Sequence, residues 1–254
     1  MDKYKALFIE FLTTFLFTLG ILLALPNGAF VVAFVALGLF ATMVYVFGEY
    51  SGAHFNPAIS FGALVKGEIT WKRFLGYVAS QVLGASLAAW LVYAISKVTT
   101  YSAVVAYAYT QYPLSSVSDA THWWIPAFFE FLFTALLVFS VMALAYNKRK
   151  ESNQFTGLTL GVLIFASILL MSNISGGSLN PAIAFGTNLV HASSDFSKYF
   201  ANDANLNLLS VYLLPQLLGG LVAGVMAKVF VDNKRMVLRV GKASNVQKTE
   251  TVNA

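Results

Sequence analysis

The 254-residue chain is 58% hydrophobic and only 11% charged, with a mean hydropathy of +0.71. A soluble domain carries about 25% charged residues, so a water-facing surface cannot be built from this composition and an all-α membrane protein is expected. With no cysteine, disulfides, thiolate catalysis and zinc-thiolate sites are excluded, and the net charge of +5 lies near span ends and in the C-terminal tail rather than in a patch suited to nucleic acid.

The first predicted span covers residues 6–25. It contains Glu10, lacks a small-residue cleavage pattern and is followed by further spans, so it reads as a retained helix and not a removable signal peptide. Further spans are predicted at 30–49, 73–96, 124–146, 155–173 and 207–231. They match the roughly 17 to 25 residues that a helix needs to cross a bilayer. Residues 98–122 are polar and aromatic with Pro113 and read as an external loop, and 233–254 as a cytoplasmic tail. On this scheme Lys3, Lys5, Lys66, Lys72, Arg73, Lys148, Arg149, Lys150 and the tail cations share one side, with only Lys97 and Lys198 opposite. The positive-inside rule then places both termini in the cytoplasm. The plasma membrane is favoured over intracellular membranes.

Two apolar stretches, Phe55 to Val65 and Leu179 to Val190, are too short to cross, and each carries Asn-Pro-Ala near its start. A helix of about 10 residues covers about 15 Å, half of a hydrocarbon core near 30 Å, so two such half-helices meeting end to end fill one membrane thickness. The halves also repeat. Glu10-Phe11-Leu12 with Thr14 recurs as Glu130-Phe131-Leu132 with Thr134; Ser51-Gly52, Asn56-Pro57-Ala58-Ile59 and Phe61-Gly62 recur as Ser175-Gly176, Asn180-Pro181-Ala182-Ile183 and Phe185-Gly186. Three spans per half is an odd number, so the second half must be inverted relative to the first. The expected organisation is one channel domain, 1–232, made of inverted repeats at about 1–97 and 123–232, with six transmembrane helices and two re-entrant half-helices.

A single Asn-Pro-Ala means little, because Asn caps helices and Pro suits the first helical position. Two copies, each opening a half-helix inside apolar sequence, mean more, since irregular backbone at membrane depth is tolerated only in protein or beside a cavity. Each half-helix N-terminus carries about half a positive charge and several free N–H groups. The Asn56 and Asn180 amides can donate to a passing oxygen while this field opposes cations.

These motifs identify the chain as resembling an aquaporin of the major intrinsic protein family, over nearly its whole length. Ser51-Gly52-Ala53-His54-Phe55-Asn56-Pro57-Ala58 agrees with the family pattern throughout, and Tyr212, Pro215 and Gly219-Gly220 fit the last span. The resemblance implies a homotetramer in lipid, with one pore per subunit, passing water and small neutral solutes. It also implies that Glu10 and Glu130 brace the loops rather than relay protons, with His54 a hydrogen-bonded loop residue rather than a pH sensor. Glu49 stands where many relatives have His.

Four selectivity-filter positions follow from the family's spacing: Ala36 (or, slipped by one, Leu37), Ile168, Gly177 and Ile183. Ile183 replaces the usual Arg, so the expected ring is apolar, with Ala36 and Gly177 widening it. A unit charge about 4 Å from a cation opposes it by about 4 kcal/mol at an effective dielectric near 20, and its absence opens a cation-leak alternative. A third reading is a structural membrane protein with a vestigial pore. Glycerol, urea, ammonia and hydrogen peroxide are candidate co-solutes, although Ala184 stands where glycerol channels usually have Asp. No catalytic residues, metal site or cofactor are expected, because the polar residues in the spans form no nucleophile–base pair or ligand cluster.

Overall fold

The computed structural model describes residues 3–99, 122–146, 154–194 and 208–231, which leaves most of the expected external loop and the tail at 233–254 outside the described residues. Among the described residues eight α-helices follow in order: α1 (Lys3–Ala24), α2 (Ala29–Ser51), α3 (Pro57–Lys66), α4 (Trp71–Val98), α5 (Trp124–Leu144), α6 (Thr156–Met171), α7 (Pro181–Ser194) and α8 (Leu214–Phe230). A 3-10 turn, Leu25–Asn27, extends α1, and a π-helical turn, Leu208–Leu213, leads into α8.

With those turns included, α1, α2, α4, α5 and α8 are long and apolar enough to cross a membrane. The fifth predicted span, 155–173, is shorter in the structure: α6 has 16 residues, or about 24 Å at 1.5 Å per residue. Its end is set by backbone geometry, because the N–H groups of Ile174, Ser175 and Gly176 all turn back onto the Met171 carbonyl at 2.9–3.0 Å. The chain there leaves the helix for the loop that leads into α7.

Polarity runs inward. Phe8, Phe30, Phe34, Leu83, Leu87 and Leu170 are exposed on the outside, whereas Glu10, Gln81, Glu130 and Gln216 are fully buried. Water could not tolerate this outer face, but lipid can, and polar groups at membrane depth belong inside the bundle. Two α1 hydroxyls are satisfied locally, with Thr13 Oγ1 donating to Ile9 O at 2.7 Å and Thr14 Oγ1 to Glu10 O at 2.6 Å.

The packing is paired across the two halves. Helix α1 lies on α4, α5 on α8 and α2 on α6, while each half-helix packs on the last helix of the other half: α3 on α8 and α7 on α4. Small residues allow these approaches. A Cβ on Gly84 would fall 2.5 Å from Phe11 O, and one on Gly219 would fall 2.7 Å from Phe131 O. The crossed contacts are as close, with Gly186 against the Ala85–Ser86 backbone and Gly220 against Ala58 O. Backbone contact of this kind is how helices associate where no hydrophobic drive separates them from lipid.

Candidate pore and its loops

Each half places a glutamate under its loop. Glu10 Oε1 accepts from Ser51 Oγ at 2.6 Å and His54 N at 3.0 Å, and Oε2 accepts from Phe55 N at 2.7 Å and Gln81 Nε2 at 2.8 Å. Glu130 repeats the pattern oxygen by oxygen: Ser175 Oγ at 2.6 Å and Ser178 N at 3.0 Å on Oε1, Leu179 N at 2.9 Å and Gln216 Nε2 at 2.8 Å on Oε2. All eight contacts use the carboxyl groups as acceptors, the role suited to carboxylates held by charge-assisted bonds. Tyr77 and Tyr212 each add a hydroxyl, donated to Ser51 O and Ser175 O.

The loops need this support. Ala53, Phe55 and Leu179 have φ of 47°, 33° and 50°, a left-handed region that L-residues rarely occupy, and Gly52, Gly176 and Gly177 also have positive φ. Such backbone costs of order 1–3 kcal/mol per residue unless its surroundings hold it. The glutamates hold it directly, because their partners include the N–H groups of Phe55 and Leu179.

Both half-helices begin with the same cap. Asn56 Oδ1 accepts from Ala58 N at 2.8 Å and Asn180 Oδ1 from Ala182 N at 3.0 Å, with Pro57 and Pro181 as the first helical residues. The amide nitrogens cross between the halves. Asn56 Nδ2 donates to Leu179 O and Asn180 Nδ2 to Phe55 O, each at 2.8 Å. An amide nitrogen has two hydrogens, so each Asn retains one N–H after this exchange.

A cavity of about 210 Å³ ends on both asparagines. Its walls are Phe17, Ile21 and Leu25 from α1 and its turn, Ala29, Val32 and Phe40 from α2, Ile164 and Ile168 from α6, Ser172 just beyond it, and loop residues 176–180. At the other end of α2 and α6 lies a second cavity, of about 400 Å³, bounded by Tyr45, Gly48, Glu49, Gly52, Tyr146 and Thr156. His54 is fully buried, with Nδ1 hydrogen-bonded to Ser60 Oγ at 3.0 Å and Nε2 to the hydroxyl of Tyr146, a residue of the second cavity's wall. Among the described residues no group of His, Asp and Glu is placed to hold a metal ion.

Ile168 and Gly177 line the first cavity, whereas Ala36 (0% exposed) and Ile183 (1%) are buried and take no part in its lining. Ala36 shares a helical stripe with Val32 and Phe40, four residues to either side, and its single methyl is recessed between their longer side chains. The slipped alternative, Leu37, belongs to the α2–α6 contact, where a Cβ on Gly161 would lie 2.7 Å from its carbonyl. Gly177 does not widen the opening by lacking a side chain. A Cβ there would meet Ile168 Cα at 3.1 Å and Met171 Cβ at 3.3 Å, so the missing side chain faces α6 and not the lumen.

Sequence reading passed over Gln81, Gln216 and Tyr77, and over Phe17, Ile21, Phe40 and Ile164. The first group carried a signal: Tyr77, Gln81 and Gly84 recur at the same spacing as Tyr212, Gln216 and Gly219. The second group looks like any apolar helix face.

The chain matches the Major intrinsic protein family over residues 1–227. It is 31% identical to the glycerol uptake facilitator protein-like 6 of Lactiplantibacillus plantarum, covering 90% of this chain and 98% of that protein. It is 34% identical to aquaporin TIP2-2 of Zea mays, covering 75% of this chain and 67% of the relative. The X-ray structure of the aquaglyceroporin from Plasmodium falciparum shares the fold, with a TM-score of 0.70 at 17% identity over 91% of this chain and 97% of that one. Helical bundle, half-helices and similarities together define a multi-pass membrane channel, a passive conduit and not an enzyme. The chain belongs to the major intrinsic protein family.

Proposed function

We propose that this channel conducts water, with small uncharged solutes of similar size, past the paired asparagines. The observation that carries the reading is that both amides border one cavity while each keeps one N–H after its bond to the opposite loop. A water that accepts both N–H groups has its lone pairs occupied and can only donate to its neighbours. The hydrogen-bond chain therefore reverses direction there, which interrupts a proton relay. The two half-helix N-termini add a positive field against cations. Neutral solutes meet neither barrier.

In this proposal Glu10, Glu130 and His54 hold the loops, both termini are cytoplasmic with Lys66, Lys72 and Arg73 on that side, and the protein works as a homotetramer embedded in lipid. Stopped-flow swelling of proteoliposomes tests conduction, with water permeability expected well above that of empty vesicles. Folded protein that adds nothing to the lipid background overturns the reading. Light scattering in detergent at a mass other than four chains overturns the tetramer.

A further inference from the structure

Two of the side chains that line the cavity ending on the asparagines are aromatic, and they are better placed to measure a solute than the expected filter positions. Phe17 and Phe40 both line the cavity that ends on Asn56 and Asn180. Their ring centroids are 5.9 Å apart at an interplanar angle of 76°. Behind them stands Phe55, fully buried, with its ring centroid 5.3 Å from Phe17 and 4.8 Å from Phe40.

This backing ring cannot move aside easily. The Phe55 backbone is in the left-handed region, its N–H donates to Glu10 Oε2 at 2.7 Å, and its carbonyl accepts from Asn180 Nδ2 at 2.8 Å. Any retreat of Phe17 or Phe40 would have to displace a ring anchored at both ends of its peptide, in an interior packed as densely as an organic crystal. The apolar wall and the amide donors are thus one rigid assembly, tied through residue 55.

The expected filter offers no comparable obstacle in this cavity. Ala36 and Ile183 lie off the lining, and the Gly177 Cβ direction faces α6. Of the four, Ile168 alone puts a side chain on the lumen.

We propose that Phe17 and Phe40 set the size threshold of the channel, passing water-sized solutes and holding back three-carbon polyols such as glycerol. The inference rests on the conduction reading above and adds where solutes are sorted and which class is rejected. A solute at this level must place an acceptor on the asparagine N–H groups while its opposite side lies against the rings. Water does so with one atom. A polyol must also seat its CH backbone and two further hydroxyls against the rings, which offer those hydroxyls no hydrogen-bond partner.

Water and glycerol permeabilities, measured on the same proteoliposomes, test it with wild type, Phe40→Ala, Phe40→Leu and Ile183→Ala. One methylene in a pocket is worth about 10- to 200-fold in discrimination. Phe40→Ala is therefore expected to raise the glycerol-to-water ratio by about tenfold or more. Phe40→Leu, which keeps most of the apolar volume, is expected to give a smaller rise in the same direction, and it decides the matter if the Ala variant does not fold. Wild type that passes glycerol as readily as water overturns the proposal. So does an unchanged ratio in a folded, water-conducting Phe40 variant, or a larger shift from Ile183→Ala than from Phe40→Ala. Loss of the conduction reading looks different, because wild type then shows no water flux above empty vesicles.

Discussion

Glu130→Ala is the sharpest test of how the second loop is held. The substitution removes an acceptor serving four donors, of which the Ser178 and Leu179 N–H groups belong to backbone committed to the loop. The hydroxyl of Ser175 can rotate and the Gln216 amide can turn, but the two backbone donors have nowhere to go. Each buried donor left unmade costs about 1–3 kcal/mol, so the pair amounts to about 2–6 kcal/mol. Removing a buried charge also removes its desolvation cost, which keeps the net loss nearer to that range than to the larger gross sum of four charge-assisted bonds. Leu179 is at φ 50° with its N–H released, so the loop is expected to relax out of the left-handed region and take the Asn180 cap with it. The assay is thermal unfolding in detergent followed by tryptophan fluorescence, with osmotic water flux in proteoliposomes on the same preparation. Both are expected to fall well below wild type, and Glu10→Ala should behave alike because its four bonds match one for one. An unfolding midpoint and a water flux both equal to wild type would refute the bracing argument.

Gly219→Ala would drive a methyl to 2.7 Å from Phe131 O and 2.9 Å from Ala135 N, forcing α5 and α8 apart at a cost of about 1–3 kcal/mol. Gly38→Ala, with nothing within 4 Å of the new methyl, should instead match or exceed wild-type stability by up to about 1 kcal/mol; scanning fluorimetry of the two side by side reads the contrast. Asn180→Ala loses both the cap on Ala182 N and the bridge to Phe55 O. The cap alone is worth about 1 kcal/mol, and water flux in vesicles is expected to drop to a small fraction of wild type. Planar bilayer recordings in a potassium gradient are expected to show no current above background, because the half-helix field remains although Ile183 replaces Arg; a steady potassium current would refute that.

The legible part of this molecule was whatever the chain states twice. Asn56-Pro57-Ala58 and Asn180-Pro181-Ala182 place the half-helices because a side-chain cap and a proline at the first position are local chemistry. Glu10 and Glu130 stood out because a carboxylate in an apolar run demands a partner. The partners were harder to read. Gln81 and Gln216 reach their glutamates across 71 and 86 residues, and only the repeated Tyr, Gln and Gly spacing hinted at them. The lumen was least legible. Whether Val32, Ala36, Leu37 or Phe40 meets solute depends on a rotation of α2 fixed by its contact with α6 at Gly161, and composition says nothing about that rotation. Counting positions from a family pattern found Ile168 and Gly177 on the cavity but could not foresee that Ala36 and Ile183 would be covered. Helix α6 ends two residues inside its expected bound, where three N–H groups turn back onto the Met171 carbonyl, the last of them from Gly176 at positive φ.

The exchanged asparagine bonds bear on how the protein is made. Asn56 closes onto Leu179, and Asn180 onto Phe55, so neither re-entrant loop can be finished from its own half of the chain. When α1 to α4 have left the ribosome, Phe55 already has its glutamate but lacks the amide that completes its carbonyl. It must wait, inside the bilayer, for residues more than 120 positions downstream. A half-length fragment is therefore not a smaller channel but an unfinished one. Insertion of the second half is the step that seals the first, and any machinery that shelters the growing chain has to shelter that open carbonyl until then.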